Sequence, residues 1–402
     1  MELNYIFFFV MKINFFILIL FFLLADISFP QSDKIRDFSP VDRIITNAIS
    51  EKSFPAAQLL IGDKNDILYY KNYGTYSYDD NKPLTDSSIF DIASLTKVVA
   101  TTSCAMALYE KGLLNPDDYV VKYIPEFAPN GKDKIKIKNL LYHNSGLTAW
   151  IPFYKTCKNK DEVLNNIYDI KPEYPLESEF KYSDLNMIIL QQVLEKISAK
   201  PLDELSSEII FAPLGMSYTC FNPQQKQNCV PTEIDTTFRY TLLQGICQDE
   251  TAYLLNGVSG NAGLFSNAKD LYLFMNMMLN QGSMIDKRRM TSRPVYVRIF
   301  KEKTLELFTK KLITDKYQNT RAMGWDTKPK DTQRLPAQCG ELISENSFGH
   351  TGYTGTSIWC DKERGLIIIL LTNRTYPHRE NQAIKSIRPL IHDEIIKIFD
   401  NK

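Results

Sequence analysis

Ser94 and Lys97 stand three residues apart in Asp91-Ile-Ala-Ser-Leu-Thr-Lys97. At helical spacing this puts an amine on the same face as a hydroxyl, one turn further on. A serine hydroxyl becomes an effective nucleophile only when a base takes its proton. A lysine can do this if burial lowers its pKa from about 10.4 towards neutrality. The competing reading is a helix N-cap serine beside a solvated lysine, and the pair alone does not decide between them. Acyl transfer also needs a proton shuttle to the leaving group and donors for the oxyanion. Tyr182-Ser-Asp-Leu-Asn186 offers a tyrosine hydroxyl in a loop ahead of an amphipathic stretch, with Ser183 or Asp184 as alternative caps for that helix. Gly349-His-Thr-Gly-Tyr-Thr-Gly355 places three glycines where a strand edge could approach a ligand and present its N–H groups. Among the four histidines, His350 is the one in such a setting.

The elements that must position these groups follow from periodicity. Val98 to Leu114 repeats apolar residues at helical spacing, so Ser94 opens a largely buried helix that ends near Gly112. Residues Ile44 to Ile49 read as the end of a first helix. Ala56-Ala-Gln-Leu-Leu-Ile61 and Ile67-Leu-Tyr-Tyr70 flank Gly62-Asp-Lys-Asn-Asp66 as a β-hairpin. From Leu114 to about Leu312 the pattern is mostly helical, with clear segments at Asp184 to Lys196 and Asp270 to Leu279. Strand signals return at Thr356-Ser-Ile-Trp-Cys360 and Gly365-Leu-Ile-Ile-Ile-Leu-Leu-Thr372. The second is a continuous apolar run expected of a buried central strand. An amphipathic helix from roughly Asn381 to Phe399 closes the chain. The resulting expectation is an α/β (α+β) fold: one antiparallel sheet built from both chain ends and flanked by helices, with an all-helical subdomain inserted. Ser94 would lie at the seam, a usual place for a pocket.

Composition narrows the functional classes. The 402 residues carry 47 basic and 47 acidic side chains, which gives no reason to expect a nucleic-acid partner. The histidines and cysteines show no metal-ligand spacing, and seven cysteines without a C-x-x-C argue against a full disulfide framework. Cys104 reads as a core thiol, His143 as a partner of the turn that follows it, and His378 and His392 as structural. There is no G-x-S-x-G elbow, no G-x-x-x-x-G-K and no G-x-G-x-x-G. Residues 1–33 read as a signal peptide or N-terminal membrane anchor. Ile13 to Leu24 follows Lys12 as an apolar run, which a start at Met11 would make an ordinary signal sequence and a start at Met1 would lengthen into an anchor. The mature domain is then 34–402, exported to the periplasm or secreted, or held at the membrane through that segment.

Ser94-Leu-Thr-Lys97, Tyr182-Ser-Asp184 and His350-Thr-Gly352, in this order, resemble the three motifs of the serine β-lactamase and penicillin-binding-protein superfamily. The tyrosine motif and the histidine form of the third are most similar to class C β-lactamases and the related DD-peptidases and esterases. Leu140-Leu-Tyr-His-Asn-Ser-Gly-Leu147, Pro213-Leu-Gly-Met216 and Ala262-Gly-Leu-Phe265 fit the same family, and the resemblance spans about Val41 to Phe399. Pro231-Thr-Glu233, Arg239, Gln248-Asp-Glu250, Gly257-Val-Ser-Gly-Asn-Ala-Gly263, Arg321-Ala-Met-Gly-Trp-Asp326 and Leu371-Thr-Asn-Arg374 resemble an exported subgroup associated with peptidoglycan turnover. In that subgroup the positions of Gln248 and Asn261 are often histidine. Arg239, Asp249 and Arg321 are read as members of a structural ion-pair network.

The resemblance implies that Ser94 is the acylated nucleophile, Lys97 its proton acceptor and Tyr182 the proton shuttle. The backbone N–H groups of Ser94 and Tyr353 would form the oxyanion hole. Asp184, His350, Thr351 and Gly352 would contact substrate, with His350 standing where β-lactamases place a lysine beside the substrate carboxylate. Two departures bear on substrate. Asp184 replaces an asparagine, and the imidazole of His350 is a weaker anchor than an ammonium; both point away from efficient penicillin hydrolysis. The expected protein is a monomeric serine hydrolase without metal or organic cofactor, of DD-carboxypeptidase or muropeptide amidase type, acting on a small peptide or muropeptide. A serine esterase or weak β-lactamase is the alternative within the family. A non-catalytic peptidoglycan-binding protein is the alternative from another class.

Overall fold

Apolar runs from both ends of the chain meet in one sheet. The computed structural model describes residues 36–285, 296–312, 321–329 and 337–400. The reading of residues 1–33 as signal or anchor lies outside these, and within them no helix is long and apolar enough to cross a membrane. The main body runs from Phe38 to Lys397. It opens with helix α1 (Ser39–Ser50), which buries Val41, Ile45 and Ala48 and carries a proline in its first turn, where the missing N–H costs nothing. Strands β1 (Ala56–Asp63) and β2 (Ile67–Gly74) form the expected hairpin.

Late in the chain come β3 (Asp326–Thr327), β4 (Phe348–Thr351), β5 (Ser357–Asp361) and β6 (Leu366–Thr372). The order across the six-stranded sheet is β3-β4-β5-β6-β1-β2, and every pairing is antiparallel. Strand β6 lies in the middle and all seven of its residues are buried, as its unbroken apolar sequence requires. Its register against β1 sets Ala57 opposite Thr372 and Asp63 opposite Leu366, which joins the two chain ends.

Between the termini lie helices α2 (Ser103–Glu110), α3 (Asp184–Ser198) and α4 (Ala268–Leu279), and the chain closes with α5 (Ile384–Asp400). α4 packs across β1, β5 and β6. The inserted region is not all-helical as expected. Phe90–Asp91, Leu264–Ser266 and Cys220–Phe221 form a three-stranded sheet, and Glu233–Asp235 pairs with Thr241–Leu243. Strands of two or three residues are too short to show a period in sequence, so long-range pairing alone defines them. Their effect is local and important: Asp91↔Phe265 pairing ties the segment just before Ser94 to the middle of the insertion.

The helix expected from Val98 to Leu114 is broken into three forms. A 3-10 turn spans Ala93–Leu95, a π-helical stretch spans Lys97–Thr102, and α2 follows. Gly112 takes φ +69°, the left-handed conformation that ends helices, two residues beyond α2. π-helical stretches concentrate at functional sites, and this one begins at Lys97.

Candidate active site

Ser94 enters the site through a strained turn. Ala93, immediately before it, has φ +46°, a region that residues with a β-carbon seldom occupy. The strain is held by Asp91, whose Oδ1 accepts the Ala93 N–H at 2.8 Å while Oδ2 accepts the Gln248 N–H at 2.7 Å. Asp91 is buried, and burial pushes its carboxyl up to about 6 against the pull of these two N–H donors.

One turn on, Lys97 is wholly enclosed, and its Nζ has three oxygen partners. It donates to Ser94 Oγ at 2.9 Å and to the Asn261 carbonyl at 2.8 Å, and it ion-pairs with Asp184 Oδ1 at 2.7 Å. The sequence led us to expect a lysine lowered towards neutrality. Burial does pull it that way, but the Asp184 carboxylate and Tyr182 outweigh burial, so the ammonium is held above its ordinary value. The resting pair is therefore charged, with the ammonium pointing a proton at the serine.

Tyr182 lies against this pair. Lys97 Nζ is 4.9 Å from its ring centre, and its hydroxyl is buried beside Ser94 and Lys97 without a well-formed hydrogen bond. Burial raises the phenol above its usual value and Lys97 opposes the rise, so the phenol stays protonated at neutral pH. His143 contributes what the sequence reading missed. It sits in a left-handed turn (φ +54°), is fully buried, and its Nδ1 accepts the Ser183 N–H at 3.1 Å. Its ring lies 4.8 Å from that of Tyr182. It thus positions the tyrosine loop and does not bond the turn that follows it. The signal was its place in Leu140-Leu-Tyr-His-Asn-Ser-Gly-Leu147, but only packing shows what it touches.

The helix after Tyr182 starts at Asp184, and neither candidate cap acts as one. Ser183 Oγ donates to the Thr148 carbonyl at 2.6 Å, and Asp184 turns to Lys97. On the opposite wall, Gly352 brings β4 against the serine turn. A β-carbon there would meet Thr356 Oγ1 at 2.1 Å and the Ile92 carbonyl at 2.6 Å. Thr354 and Thr356 donate to the carbonyls of Asp91 and Ile92 at 2.7 and 3.2 Å. Arg374 Nε holds the Tyr353 carbonyl at 2.7 Å and its guanidinium stacks 4.2 Å above the Tyr353 ring. The Gly352 N–H is used by Thr356 O at 2.7 Å, whereas the Tyr353 N–H has no acceptor among the described residues.

Ala93, Ser94, Trp150, Tyr182, Asp184, Asp249 and Tyr353 help to line a cleft of about 360 Å³. Two larger depressions, of about 690 and 700 Å³, are lined by none of the serine, lysine or tyrosine. Volume therefore does not mark the site; the chemistry of its walls does.

His350 departs from expectation. It is buried within β4, its ring 5.8 Å from that of Tyr182, and it is not part of the cleft lining. Burial brings its pKa down to about 4, opposed by Asp326 and aided by Arg321 and Lys97, so the imidazole is neutral at physiological pH. Its Nδ1 lies 2.8 Å from the Thr351 carbonyl, which fixes the N–H there and leaves Nε2 as a bare acceptor without a partner among the described residues. A neutral acceptor cannot anchor a carboxylate. Thr351 and Gly352 likewise fall outside the lining.

The other expected polar residues divide. Arg239 pairs with Asp235 at 2.6 Å and donates to the carbonyls of Cys247 and Gln248, which orders one cleft wall. Arg321 pairs with Asp326 and lies over the Tyr182 ring at 4.8 Å. Asp249 is in no ion pair among the described residues. It caps Glu250–Leu254 by accepting the Ala252 N–H at 2.7 Å and faces the cleft. Burial, with Asp184 nearby, pushes its carboxyl up to about 6. All seven cysteines are free thiols.

A serine turn, a buried lysine and a tyrosine, set between an antiparallel sheet and a mainly helical insertion, define a serine hydrolase of the β-lactamase and transpeptidase architecture. The chain belongs to the beta-lactamase family, whose model matches residues 41–390. It is 32% identical over 380 residues to an Escherichia coli (strain K12) protein named provisionally as a D-alanyl-D-alanine carboxypeptidase, covering 86% of this chain and 83% of that one. It is also 32% identical over 371 residues to the N-acetylmuramyl-L-alanine amidase of Bacillus subtilis (strain 168), covering 84% and 80%. Among solved structures, a class C beta-lactamase superposes with TM-score 0.69 at 17% identity, covering 92% of this chain and 98% of that one. EstCE1, described as a hydrolase with promiscuous acyltransferase activity, superposes with TM-score 0.68 at 20% identity, covering 87% and 98%.

Proposed function

We propose that this protein is an exported serine hydrolase that opens an amide or ester bond in peptidoglycan-derived peptides through an acyl-enzyme on Ser94. The observation that carries this reading is the 2.9 Å contact between Ser94 Oγ and the buried Lys97 ammonium, itself paired to Asp184. The names of the two relatives support the substrate class, and residues 1–33 support export.

Because Lys97 rests protonated, it cannot accept the serine proton unless it gives one up. Asp184, 2.7 Å away, is the acceptor. As Ser94 Oγ attacks the carbonyl carbon, its proton passes to Lys97 and a lysine proton passes to Asp184, so the lysine keeps its charge. The oxyanion that forms is met by the N–H groups of Ser94 and Tyr353, each donor of this kind being worth about 10²–10³ in rate. Tyr182 then gives its proton to the leaving nitrogen or oxygen. In the second half a water takes the place of the leaving group and loses a proton to Tyr182, while Asp184 returns its proton through Lys97 to Ser94 Oγ as the acyl chain leaves.

The test is intact mass after exposure to a fluorophosphonate, for the protein and for Ser94→Ala. One adduct on the first and none on the second is expected. No adduct on either would favour a peptidoglycan-binding protein that uses the same cleft without chemistry.

A further inference from the structure

Accepting Ser94 as the nucleophile, we infer that the cleft excludes substrates with a free carboxylate beside the scissile bond and takes an acyl amide or ester whose leaving residue is blocked or cationic there.

A carboxylate on the leaving group needs a cation at the cleft wall. Among the described residues each candidate is paired, enclosed or outside the lining. Lys97 is enclosed and its charge is met by Asp184 at 2.7 Å. Arg379 lines the cleft but is clamped: Nε and Nη2 bond the two oxygens of Glu233 at 2.7 and 2.8 Å, and Nη1 bonds Glu250 at 2.7 Å. Gln248 Nε2 braces the same Glu233 carboxylate at 2.8 Å. Arg374 lies outside the lining, with Nε on the Tyr353 carbonyl and Nη1 on the carbonyls of Arg379 and Asn381. Arg321 is paired with Asp326 and stacked on Tyr182 and Phe180, outside the lining. His350, at the position from which an anchor would act, is enclosed and offers a lone pair.

Against these, Asp184, Asp249 and Glu250 all face the cleft, and Glu233 stands directly behind Arg379. Among the described residues the cleft is thus edged by Asp184, Asp249 and Glu250, with Glu233 behind them, against Lys97 and Arg379, which are both already paired with carboxylates. At an effective dielectric of about 20, one uncompensated like charge about 8 Å away costs roughly thirtyfold in rate. An internal peptide or lactyl amide avoids this cost, because the leaving residue's own carboxyl is tied up in the next bond. A C-terminal dipeptide does not avoid it. Of the two substrate types carried by the relatives' names, the geometry favours the amidase type.

The test uses three thioesters of N-acetyl-D-alanine that share one scissile bond. Their leaving thiols are thioglycolate (anionic), methyl thioglycolate (neutral) and thiocholine (cationic, with no amine to capture the acyl group), and thiol release is followed colorimetrically. At low salt the neutral and cationic esters should exceed the anionic one in kcat/KM by tenfold or more, and added salt should narrow the gap. In Glu250→Gln one clamp on Arg379 is lost, and the anionic ester should gain severalfold relative to the neutral one. Equal or faster turnover of the anionic ester by the unaltered protein would overturn the inference and leave the Ser94 mechanism standing. Thiol release that is the same in Ser94→Ala, or none from any ester, would overturn the proposed function and this inference with it.

Discussion

Lys97 Nζ sits 2.7 Å from Asp184 Oδ1 and 2.9 Å from Ser94 Oγ, so one buried ammonium joins a carboxylate to a serine hydroxyl. Replacing the carboxylate separates its two effects. In Asp184→Asn the relay has no terminal acceptor, and burial then pulls the lysine pKa down against Tyr182 alone. Serine modification by the fluorophosphonate at pH 7 should fall about 10²–10⁴-fold, the usual worth of acid–base help. It should then recover as pH rises and the amine deprotonates, a limb that the unaltered protein lacks. Full activity of the variant at pH 7 would place the acceptor elsewhere.

Lys97→Met removes the nucleophile's partner and strands Asp184 in a mostly enclosed position. Activity should be lost as completely as in Ser94→Ala, because the two act as one unit. Stability should fall by about 3 kcal/mol, since breaking one side of a buried pair leaves the other charge uncompensated. Adding Asp184→Asn to Lys97→Met should return most of that stability and none of the activity. Urea denaturation of the three variants measures this. A double variant as unstable as the single one would show that lost packing, not the stranded charge, sets the cost.

Tyr182→Phe keeps the ring between Lys97 and His143 and deletes only the hydroxyl, which has no well-formed hydrogen bond to lose. The melting temperature should stay close to that of the unaltered protein while kcat falls about 10²–10⁴-fold. An unaffected kcat would remove the tyrosine from the proton path.

Gly352→Ala tests the wall opposite the tyrosine. The added carbon would have to displace Thr356 Oγ1 and the Ile92 backbone, both closer than any real contact allows. The Tyr353 amide and the Ser94 turn move with them, so acylation should drop at least tenfold, with a stability cost of about 1–3 kcal/mol. Normal acylation rates would mean that the oxyanion donors lie elsewhere.

His350 predicts an acid dependence. Its folded pKa of about 4 lies below the ordinary 6.5, so the unfolded chain binds its proton first as pH falls. Its contribution is complete above about pH 6.5 and is lost progressively down to about pH 4, a total of roughly 3 kcal/mol. Buried carboxylates such as Asp91 and Asp249 titrate in the opposite sense over part of this range. The measurement is therefore a difference: the stability gap between the unaltered protein and His350→Gln, followed from pH 7 to pH 4, should move by that amount in favour of the variant. A gap that does not change with pH would show that His350 titrates normally.

The sequence by itself determined the sheet and singled out Ser94 with Lys97. The unbroken run Leu366–Thr372 has nowhere to go but a doubly covered strand, and the hairpin Ala56–Gly74 has a matching apolar set to pair with it. The family, too, was legible from Ser94-Leu-Thr-Lys97, Tyr182-Ser-Asp184 and His350-Thr-Gly352, because motifs record residue type and order. What only the tertiary structure decided are charge states and access. The protonation of Lys97 depends on a carboxylate 87 positions away in sequence and 2.7 Å away in space. His350 is a neutral, enclosed imidazole because of what packs around it, and Arg379 is unavailable because Glu233 and Glu250 already hold it. The short strands of the insertion and the role of His143 also escaped the sequence reading. A side chain's pKa and its exposure are set by neighbours brought in from distant parts of the chain, and no local pattern of residues encodes them.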